Sequence, residues 1–417
     1  MATNTDIPQG YKATALGIIP QEWEVKTLGN IAEINPSKGK ITSKVVTFLA
    51  MSDISEQGGV INENILPIDS IKPGLTPFRK GDVIIAKITP CFENGKGALL
   101  DKITEDDGFG STEFHVIRCQ QDNKFVYYHT QSYAFRKRLE SQMTGSAGQK
   151  RVPADSVAAY KIAVPPLAEQ RKIAEVLGVW DEAIEKQARL IEKLALRKRG
   201  LMQRLLSAKL RLPGFSEPWQ KVKLGEICER VTRKNIEDNQ NVMTISAQRG
   251  FVAQTDFFNK SVASETLESY YLVFKDEFCY NKSYSNGYPM GAIKRLSEAD
   301  KAVVTSLYIC FNVKPETNTN IDYLSYYFDN GGLNRGLTKI ANEGGRAHGL
   351  LNVTPKDFFG LSFEIPSLKE QTAIAEVLIA ADREIELAKE KLERLRRQKR
   401  GLMQQLLSGK KRVKINI

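Results

Sequence analysis

The sequence predicts an α+β protein that contains the same mixed α/β domain twice, each copy followed by a long helix. The two helices are expected to form an antiparallel coiled coil, which gives the chain pseudo-twofold internal symmetry. Three observations predict this architecture: an internal repeat, a proline-free heptad pattern at the end of each copy, and strand and helix patterns before it. The length of 417 residues accommodates two or three domains of ordinary size.

The internal repeat is identical in sequence at two separate blocks. The segment Arg199–Gln203 recurs as Arg400–Gln404, and Ile173–Leu177 recurs as Ile374–Leu378, both at an offset of 201 residues. A tryptophan near the start of each copy repeats at an offset of 196 residues, so the two middles differ in length by about five residues. The predicted segments are domain 1, spacer helix 1, domain 2, and spacer helix 2 with a basic tail, at residues 1–166, 167–212, 213–367 and 368–417.

Each copy ends in a predicted long helix, Leu167–Ser207 in the first and Leu368–Ser408 in the second. Neither segment contains proline, and apolar residues recur three and four positions apart, as a coiled-coil seam requires. In the first helix only Gln187 and Lys198 interrupt the seam, and Lys399 stands at the place of Lys198 in the second. The predicted coiled-coil interface consists of Ile173, Leu177, Trp180, Ile184, Ile191, Leu194, Leu201, Leu205, Ile374, Leu378, Ile385, Leu392, Leu395, Leu402 and Leu406.

The length of these segments favours pairing between them. About 40 residues at ~1.5 Å per residue give a rod on the order of 60 Å, longer than a compact domain needs. The alternative is that each apolar stripe packs only on its own globular domain. Because a domain of about 160 residues separates the two helices and brings the chain back, an intramolecular antiparallel pair is favoured.

The net charge of +11 lies entirely in the two helical segments. Residues 167–212 carry 11 Lys and Arg against 6 Asp and Glu, and residues 368–414 carry 13 against 7. Cations near a helix C-terminus also interact favourably with the helix dipole. Solvated helix-end charge and contact with phosphate or an acidic partner protein therefore both remain open.

The middle of each copy shows mixed strand and helix patterns. In the first copy the predicted strands are Lys44–Met51, Asp82–Lys87 and Ser111–Arg118, with a helix at Asn123–Gln142. In the second they are Asn241–Ser246, Glu277–Tyr280 and Thr305–Asn312, with a helix near Asn320–Ile340. The intervening loops Thr89–Gly97 and Lys282–Pro289 differ between the copies although their flanks agree. Different loops on a repeated scaffold are typical of two recognition surfaces with different targets.

The sequence shows no pattern typical of catalysis, cofactor binding or a metal site. It has no GxxxxGK[ST] or GxGxxG motif and no amino-methyltransferase motif around its paired prolines, and its five cysteines form no CxxC pair. The three histidines, His115, His129 and His348, are scattered and are expected to be surface residues of strands or helices rather than ligands or general bases. We therefore expect no catalytic, cofactor-binding or metal-binding residues in this chain. The absence of a long apolar run or a signal-peptide pattern leads us to expect a cytoplasmic location.

These features together resemble the specificity subunit of a type I restriction-modification system. The resemblance covers nearly the whole chain and includes Glu169–Gln170 and Glu370–Gln371 near the helix starts and the Arg-Gly-Leu-Met-Gln segments near their ends. It implies two target-recognition domains that each recognise one half of a bipartite asymmetric DNA sequence, with a helical spacer that fixes the gap between the halves. It also implies two methyltransferase subunits that methylate adenine N6 and two restriction subunits as partners. S-adenosylmethionine, ATP and magnesium would be bound by those partners.

The expected location is then the cytoplasm of a bacterium or archaeon, with association to the nucleoid through DNA binding. Two alternatives remain: a stand-alone nuclease or methyltransferase, disfavoured by the missing motifs, and a coiled-coil protein scaffold that does not recognise DNA sequence.

The candidate DNA-contacting residues come from loops and combine donors for phosphate with groups that can hydrogen-bond base edges. The alternative for each is an ordinary surface side chain. The candidates in the first copy are Lys87, Thr89, Asn94, Lys96, Gln149, Lys150 and Arg151. Those in the second copy are Lys282, Ser283, Tyr284, Asn286, Tyr288, Lys294 and Arg346.

Overall fold

The chain forms two compact units in the computed structural model, which describes residues 7–37, 39, 41–146, 148–254, 267–341 and 351–415. Unit 1 comprises residues 1–188 together with 390–417, and unit 2 comprises residues 189–389. Each unit therefore contains one mixed α/β domain, the first half of one long helix and the second half of the other. None of the described helices has the length and apolarity needed to cross a membrane.

Unit 1 is built on two four-stranded sheets. Its strands are β1 (Tyr11–Thr14), β2 (Gly17–Pro20), β3 (Glu24–Thr27), β4 (Ala32–Ile34), β5 (Val45–Leu49), β6 (Asn64–Pro67), β7 (Thr76–Arg79), β8 (Val83–Ala86), β9 (Gly97–Leu99), β10 (Asp107–Gly110), β11 (Phe114–Cys119) and β12 (Lys161–Val164). One sheet has the order β4-β11-β8-β9 and is antiparallel throughout, and the other has the order β6-β5-β10-β7 with β5 and β10 parallel. Strands β1 and β2 form a hairpin, and β3 pairs with β12.

Unit 2 repeats the first of these sheets. Its strands are β13 (Gln220–Lys223), β14 (Cys228–Val231), β15 (Met243–Ser246), β16 (Gly250–Ala253), β17 (Tyr271–Phe274), β18 (Phe278–Asn281), β19 (Ala292–Arg295), β20 (Lys301–Val304), β21 (Ile309–Val313) and β22 (Ser362–Ile365). The sheet order β14-β21-β18-β19 corresponds strand by strand to β4-β11-β8-β9. Strand β13 pairs with β22 as β3 pairs with β12, while β15–β16 and β17–β20 form two-stranded pairs.

One inner strand of each repeated sheet, β8 in unit 1 and β18 in unit 2, is buried on both faces. In β8, Val83 and Ile85 pack into the cluster that includes the helices, whereas Ile84 faces a second cluster. In β18, Phe278 faces the helical cluster and Cys279 faces the opposite one. Burial on both sides explains why these strands have nearly continuous apolar sequences, which is the pattern that predicted them.

Each predicted domain helix is in fact two helices. The short helices are α1 (Leu28–Ile31), α2 (Asn123–Thr130), α3 (Tyr133–Glu140), α4 (Ala154–Ala158), α6 (Leu224–Ile227), α7 (Ile321–Asp329), α8 (Asn334–Ile340) and α9 (Pro355–Phe359). Ser132 caps the start of α3, because its side chain accepts a hydrogen bond from the amide of Phe135. Gly331, at a φ of +74°, ends the run after α7. The prediction of single helices at Asn123–Gln142 and Asn320–Ile340 was therefore wrong at these breaks.

The predicted strands are present with shifted ends. The observed strand ends lie within four residues of the predicted ends for β5, β8, β15, β18 and β21. Strand β11 begins at Phe114 rather than Ser111, since the Phe114 amide donates to the Ser111 carbonyl in a turn. Strand β21 begins four residues later than predicted because Tyr308 similarly closes a turn on Thr305.

The two long helices are α5 (Leu167–Leu205, 39 residues) and α10 (Leu368–Leu407, 40 residues), and they pack together as an antiparallel pair. Within unit 1, Ile173 and Leu177 of α5 share a hydrophobic core with Leu406 of α10. Within unit 2, Leu205 of α5 shares a core with Ile374 of α10. All fifteen residues of the predicted interface are buried or half-buried.

A buried glutamate anchors the start of each long helix. The Glu169 carboxylate is fully buried, where it accepts from Nε1 of Trp23 at 3.0 Å and from the Arg412 guanidinium at 2.7 and 2.8 Å. Glu370 has the same environment in unit 2: Nε1 of Trp219 donates to it at 3.3 Å, and the Arg211 guanidinium donates at 2.6 and 2.8 Å. Each arginine lies just beyond the end of the other long helix, so each unit connects a helix start to a helix end.

Candidate nucleic-acid interface

In unit 1 the candidate residues lie on two loops that contact each other. The loop after β8 hydrogen-bonds to the loop before α4, with the Thr89 amide donating to the Lys150 carbonyl at 3.0 Å and the Lys150 amide donating to Thr89 Oγ1 at 3.2 Å. The Val152 amide also donates to the Lys87 carbonyl at 2.9 Å. The structure thus brings Lys87, Thr89, Lys150 and Arg151 onto one surface, with Gln149 exposed beside them.

Some of the charge on this surface is already paired. The Arg151 guanidinium donates to the Glu113 carboxylate at 2.8 Å, which raises the pKa of Arg151 and lowers that of Glu113, so both groups stay ionised. Lys96 donates to the Met51 carbonyl at 2.9 Å, and Asn94, although exposed, donates to Glu56 at 2.9 Å. Of the charged candidates in unit 1, Lys87 and Lys150 are therefore better placed for phosphate contact than Lys96.

One buried arginine holds the loop after β8 in shape. The Arg136 guanidinium donates to the carbonyls of Thr130 at 2.8 Å, Phe92 at 3.1 Å and Gly95 at 3.1 Å, and it lies 4.7 Å from the Phe92 ring centroid. Burial lowers the pKa of Arg136 to about 10, which leaves it protonated near neutral pH. Arg136 is thus a positioning residue for the loop that carries Thr89, Asn94 and Lys96.

In unit 2 the equivalent loop, between β18 and β19, carries the candidates Lys282, Ser283, Tyr284, Asn286 and Tyr288, whereas Lys294 lies in β19 itself. Tyr284 is 66% exposed and Asn286 is exposed, whereas Lys282 and Ser283 are half-buried. The Lys294 ammonium is already paired, because it donates to Asp329 at 2.6 Å, and its side chain is only 10% exposed. The Tyr288 ring lies under that ammonium at 5.1 Å. Arg346 lies outside the described residues.

The structure adds two residues that the sequence did not indicate. Gln248 and Arg249 are exposed at the turn between β15 and β16, and Gln248 Nε2 donates to the Asn286 carbonyl at 3.1 Å. This turn therefore lies beside the candidate loop of unit 2. The polar residues after Ser246 are a sequence pattern that indicates this turn. The hairpin was missed because its second strand, β16, was not predicted.

The prediction of surface histidines was wrong for the two described ones, because His115 and His129 are buried, at 4% and 6% exposed. His115 Nε2 lies 2.8 Å from the Val152 carbonyl, and its Nδ1 lies 3.0 Å from Asn35. Burial lowers the pKa of His129 to about 3, so its ring is neutral. Among the described residues no group of three His, Cys, Asp or Glu side chains could hold a metal ion. His348 lies outside the described residues.

The two α/β domains share an antiparallel helix pair. Each domain presents a different polar loop at the same position of an equivalent sheet. These features define a two-domain recognition protein. The family model for the type I restriction modification DNA specificity domain matches residues 20–195 and 216–397. The chain belongs to this family.

Similar proteins agree with the family assignment. The type I restriction enzyme EcoAI specificity subunit of Escherichia coli is 42% identical over 160 residues, which are 37% of this chain and 27% of that protein. The chain thus matches about a quarter of the length of that relative. The putative type I restriction enzyme MjaX specificity subunit of Methanocaldococcus jannaschii is 25% identical over 97% of both chains.

Solved structures share the fold. The HsdS subunit of Thermoanaerobacter tengcongensis aligns over 94% of this chain and 98% of its own, with a TM-score of 0.51 and 19% identity. A chain from a structure concerned with complex assembly and conformational transition of the type I R-M system aligns over 94% and 99%, with a TM-score of 0.60 and 19% identity.

We expect charged side chains on the unit 2 surface to contribute to DNA affinity without regard to sequence. Replacing Lys282 or Arg249 with alanine should weaken binding to every duplex and reduce the slope of log affinity against log salt by about 1 for each phosphate that the side chain neutralises. The measurement is a salt titration of binding to a specific and a random duplex. Lys275→Ala is the matched control, because this exposed lysine lies before β18, at the end opposite the candidate loop. An unchanged slope would remove the substituted residue from the interface.

Proposed function

We propose that this chain is the DNA sequence-recognition subunit of a type I restriction-modification enzyme. Each recognition domain recognises one half of a bipartite asymmetric target, and the helix pair sets the spacing between the halves. The observation that carries the proposal is the repeated sheet, β4-β11-β8-β9 and β14-β21-β18-β19, with a different polar loop at the same position in each copy. A shared scaffold with divergent loops suits two surfaces that recognise different base sequences.

The physical scale of the spacer is compatible with this role. Half-sites recognised on one face of DNA lie about one helical turn apart, roughly 34–36 Å between centres. Helices of 39 and 40 residues extend on the order of 60 Å at ~1.5 Å per residue. A helix pair of this length can therefore determine the separation of two recognition surfaces.

The proposed partners are double-stranded DNA, two methyltransferase subunits that methylate adenine N6, and two restriction subunits in the full complex. The long helices carry exposed apolar side chains that a bound protein partner would cover. Within the helices these are Val179, Leu190, Leu196, Ile379 and Leu387, which are 62%, 44%, 63%, 43% and 52% exposed, and the first residues of the helices, Leu167 and Leu368, are 37% and 41% exposed. S-adenosylmethionine, ATP and magnesium are proposed to bind to the partner subunits rather than to this chain. The chain itself is proposed to be a non-catalytic subunit in the cytoplasm.

The alternative is a coiled-coil scaffold that binds proteins without recognising a DNA sequence. The same exposed apolar residues suit that role, but it leaves the divergent polar loops without a purpose. Competition between a specific and a random duplex for binding to the complex separates the two proposals.

The decisive experiment maps N6-methyladenine across the host genome. We expect loss of one bipartite motif when the gene is deleted, and alteration of only one half of the motif when residues 213–367 are exchanged for another recognition domain. Exchange of residues 7–166 is the matched control and should alter only the other half. Identical methylation in all strains, with the methyltransferase partner present and active, would contradict the recognition proposal and support the scaffold proposal.

A further inference from the structure

The two lysines that interrupt the heptad seam have buried stems and specific partners. Lys198 and Lys399 occupy equivalent positions in the repeat, and their side chains are only 22% and 14% exposed. A lysine in an apolar seam lowers stability unless its charge is compensated. Each therefore needs an anionic partner on the facing helix.

In unit 1 that partner is Asp181, which also binds the recognition domain. The Lys399 ammonium forms an ion pair with Asp181, and the hydroxyl of Tyr128 in α2 donates to the same carboxylate at 2.7 Å. The ammonium also lies 5.2 Å from the centroid of the Tyr128 ring. Burial and the neighbouring Asp181 charge raise the pKa of the Tyr128 hydroxyl, so it stays protonated and donates.

Unit 2 contains the same arrangement from equivalent residues. The Lys198 ammonium donates to Asp382 at 2.6 Å, the hydroxyl of Tyr326 in α7 donates to Asp382 at 2.7 Å, and the ammonium lies 5.1 Å from the ring centroid. Asp181 and Asp382 are separated by 201 residues, as are Lys198 and Lys399. Each set, hereafter a Tyr–Asp–Lys triad, joins α5, α10 and one helix of a recognition domain.

The triads can fix the register of the two long helices, which the apolar seam alone leaves adjustable. A heptad pattern of similar aliphatic residues supports a slipped register almost as well as the native one, whereas a polar pair in the seam is satisfied in one register only. Sliding either helix by one turn would move an ammonium about 5.4 Å from its carboxylate and leave its buried stem without a partner. Because the same carboxylate accepts from the recognition domain, slippage would also break the contact that seats that domain on the helices.

We propose that the two Tyr–Asp–Lys triads are positioning residues that fix the register of the helix pair and the seat of each recognition domain on it, and thereby determine how many unrecognised base pairs separate the half-sites. This inference rests on the proposed function. It makes Tyr128, Asp181, Lys399 and their counterparts determinants of spacing, not of the bases within either half-site.

The test is the methylation pattern produced by the complete complex carrying Lys198→Met and Lys399→Met together. Methionine keeps the apolar stem and removes the charge, and the carboxylates of Asp181 and Asp382, 41% and 44% exposed, can then be solvated. Replacing ion pairs by apolar groups of similar size often leaves stability unchanged or higher. We expect a folded, active complex with both half-sites unchanged, whose preference for the native spacing over spacings one base pair longer or shorter falls at least about tenfold, equivalent to ~1.4 kcal/mol.

Arg197→Met is the matched control. Arg197 is adjacent to Lys198, but its ion pair with Glu384 is exposed. The complex carrying this variant should therefore methylate only sites with the native spacing. If the lysine variant does not fold, Tyr128→Phe with Tyr326→Phe removes one hydrogen bond from each triad and should also broaden the spacing. Methylation confined to the native spacing in a folded lysine variant, or in the tyrosine variant where the lysine variant fails to fold, would overturn the inference. Wild-type methylation without any bipartite motif would instead contradict the proposed function.

Discussion

Replacing Arg412 with alanine should lower the free energy of unfolding at the start of α5 by about 2 kcal/mol, because it leaves the buried Glu169 carboxylate without its cation. Removal of one partner from a sealed buried ion pair typically costs ~3–5 kcal/mol. We expect less here, since the Arg412 side chain is 37% exposed and its removal would admit water to the carboxylate. The remaining Trp23 hydrogen bond cannot neutralise the charge.

Hydrogen exchange is the suitable measurement, because it reports on each helix start separately. Arg412→Ala should reduce amide protection over Leu167–Leu177 and leave Leu368–Leu378 protected. Arg211→Ala should do the reverse, since Arg211 holds Glu370 in the same way. The two variants are therefore controls for each other.

A double variant separates the charge effect from simple loss of packing. In Arg412→Ala with Glu169→Gln position 169 no longer carries a buried carboxylate, so most of the amide protection at the start of α5 should return. If the double variant is as unprotected as Arg412→Ala alone, the arginine acts through its packing rather than by neutralising Glu169.

The architecture was predictable because it rests on local signals. The offset of 201 residues, the absence of proline and the three- and four-residue spacing of apolar side chains are all properties of contiguous sequence, and they located α5 and α10 to within two residues. The continuous apolar runs at β8 and β18 likewise report burial on both faces. Such patterns can be recognised in the sequence without knowledge of which elements lie beside them in the fold.

The site was predictable only in part, because its geometry depends on contacts between distant residues. Arg412 and Glu169 are 243 residues apart, and no local pattern pairs them. Gln248 and Arg249 acquired a role only when the β15–β16 hairpin placed them beside Asn286. Lys294 looked available by residue type, whereas its contact with Asp329 depends on how α7 packs on β19.

Arg136 illustrates the same limit and leads to the second large effect. It stands beside Lys137 and Arg138 in α3, and the sequence alone does not distinguish the three cations. The structure buries Arg136, which is 8% exposed, and leaves the other two exposed. Only Arg136 therefore contributes hydrogen bonds to the loop after β8.

We expect Arg136→Met to abolish recognition of one half-site while the other half is still recognised. The substitution removes the Arg136 donor from the carbonyls of Thr130 and Gly95, at a cost of about 1–3 kcal/mol for each group that water cannot reach, whereas the Phe92 carbonyl keeps the hydrogen bond from the Gly95 amide. The loop that carries Thr89, Asn94 and Lys96 should then lose its fixed conformation. Since the effect is confined to the unit 1 loop, binding through the unit 2 surface should persist.

The measurement compares binding of the complex to duplexes in which one half-site at a time is scrambled. In the wild type, scrambling either half should weaken binding; in Arg136→Met, scrambling the half recognised by unit 1 should have no further effect, while scrambling the other half should still weaken it. Arg138→Met is the matched control, because it removes an exposed cation from the same helix and should behave as the wild type. Arg136→Lys keeps the charge but has a single ammonium in place of the planar fork, so it cannot reach all three carbonyls and should restore recognition only in part. Equal sensitivity to both scrambled halves in a folded Arg136→Met complex would mean that the loop after β8 does not carry the recognition of unit 1.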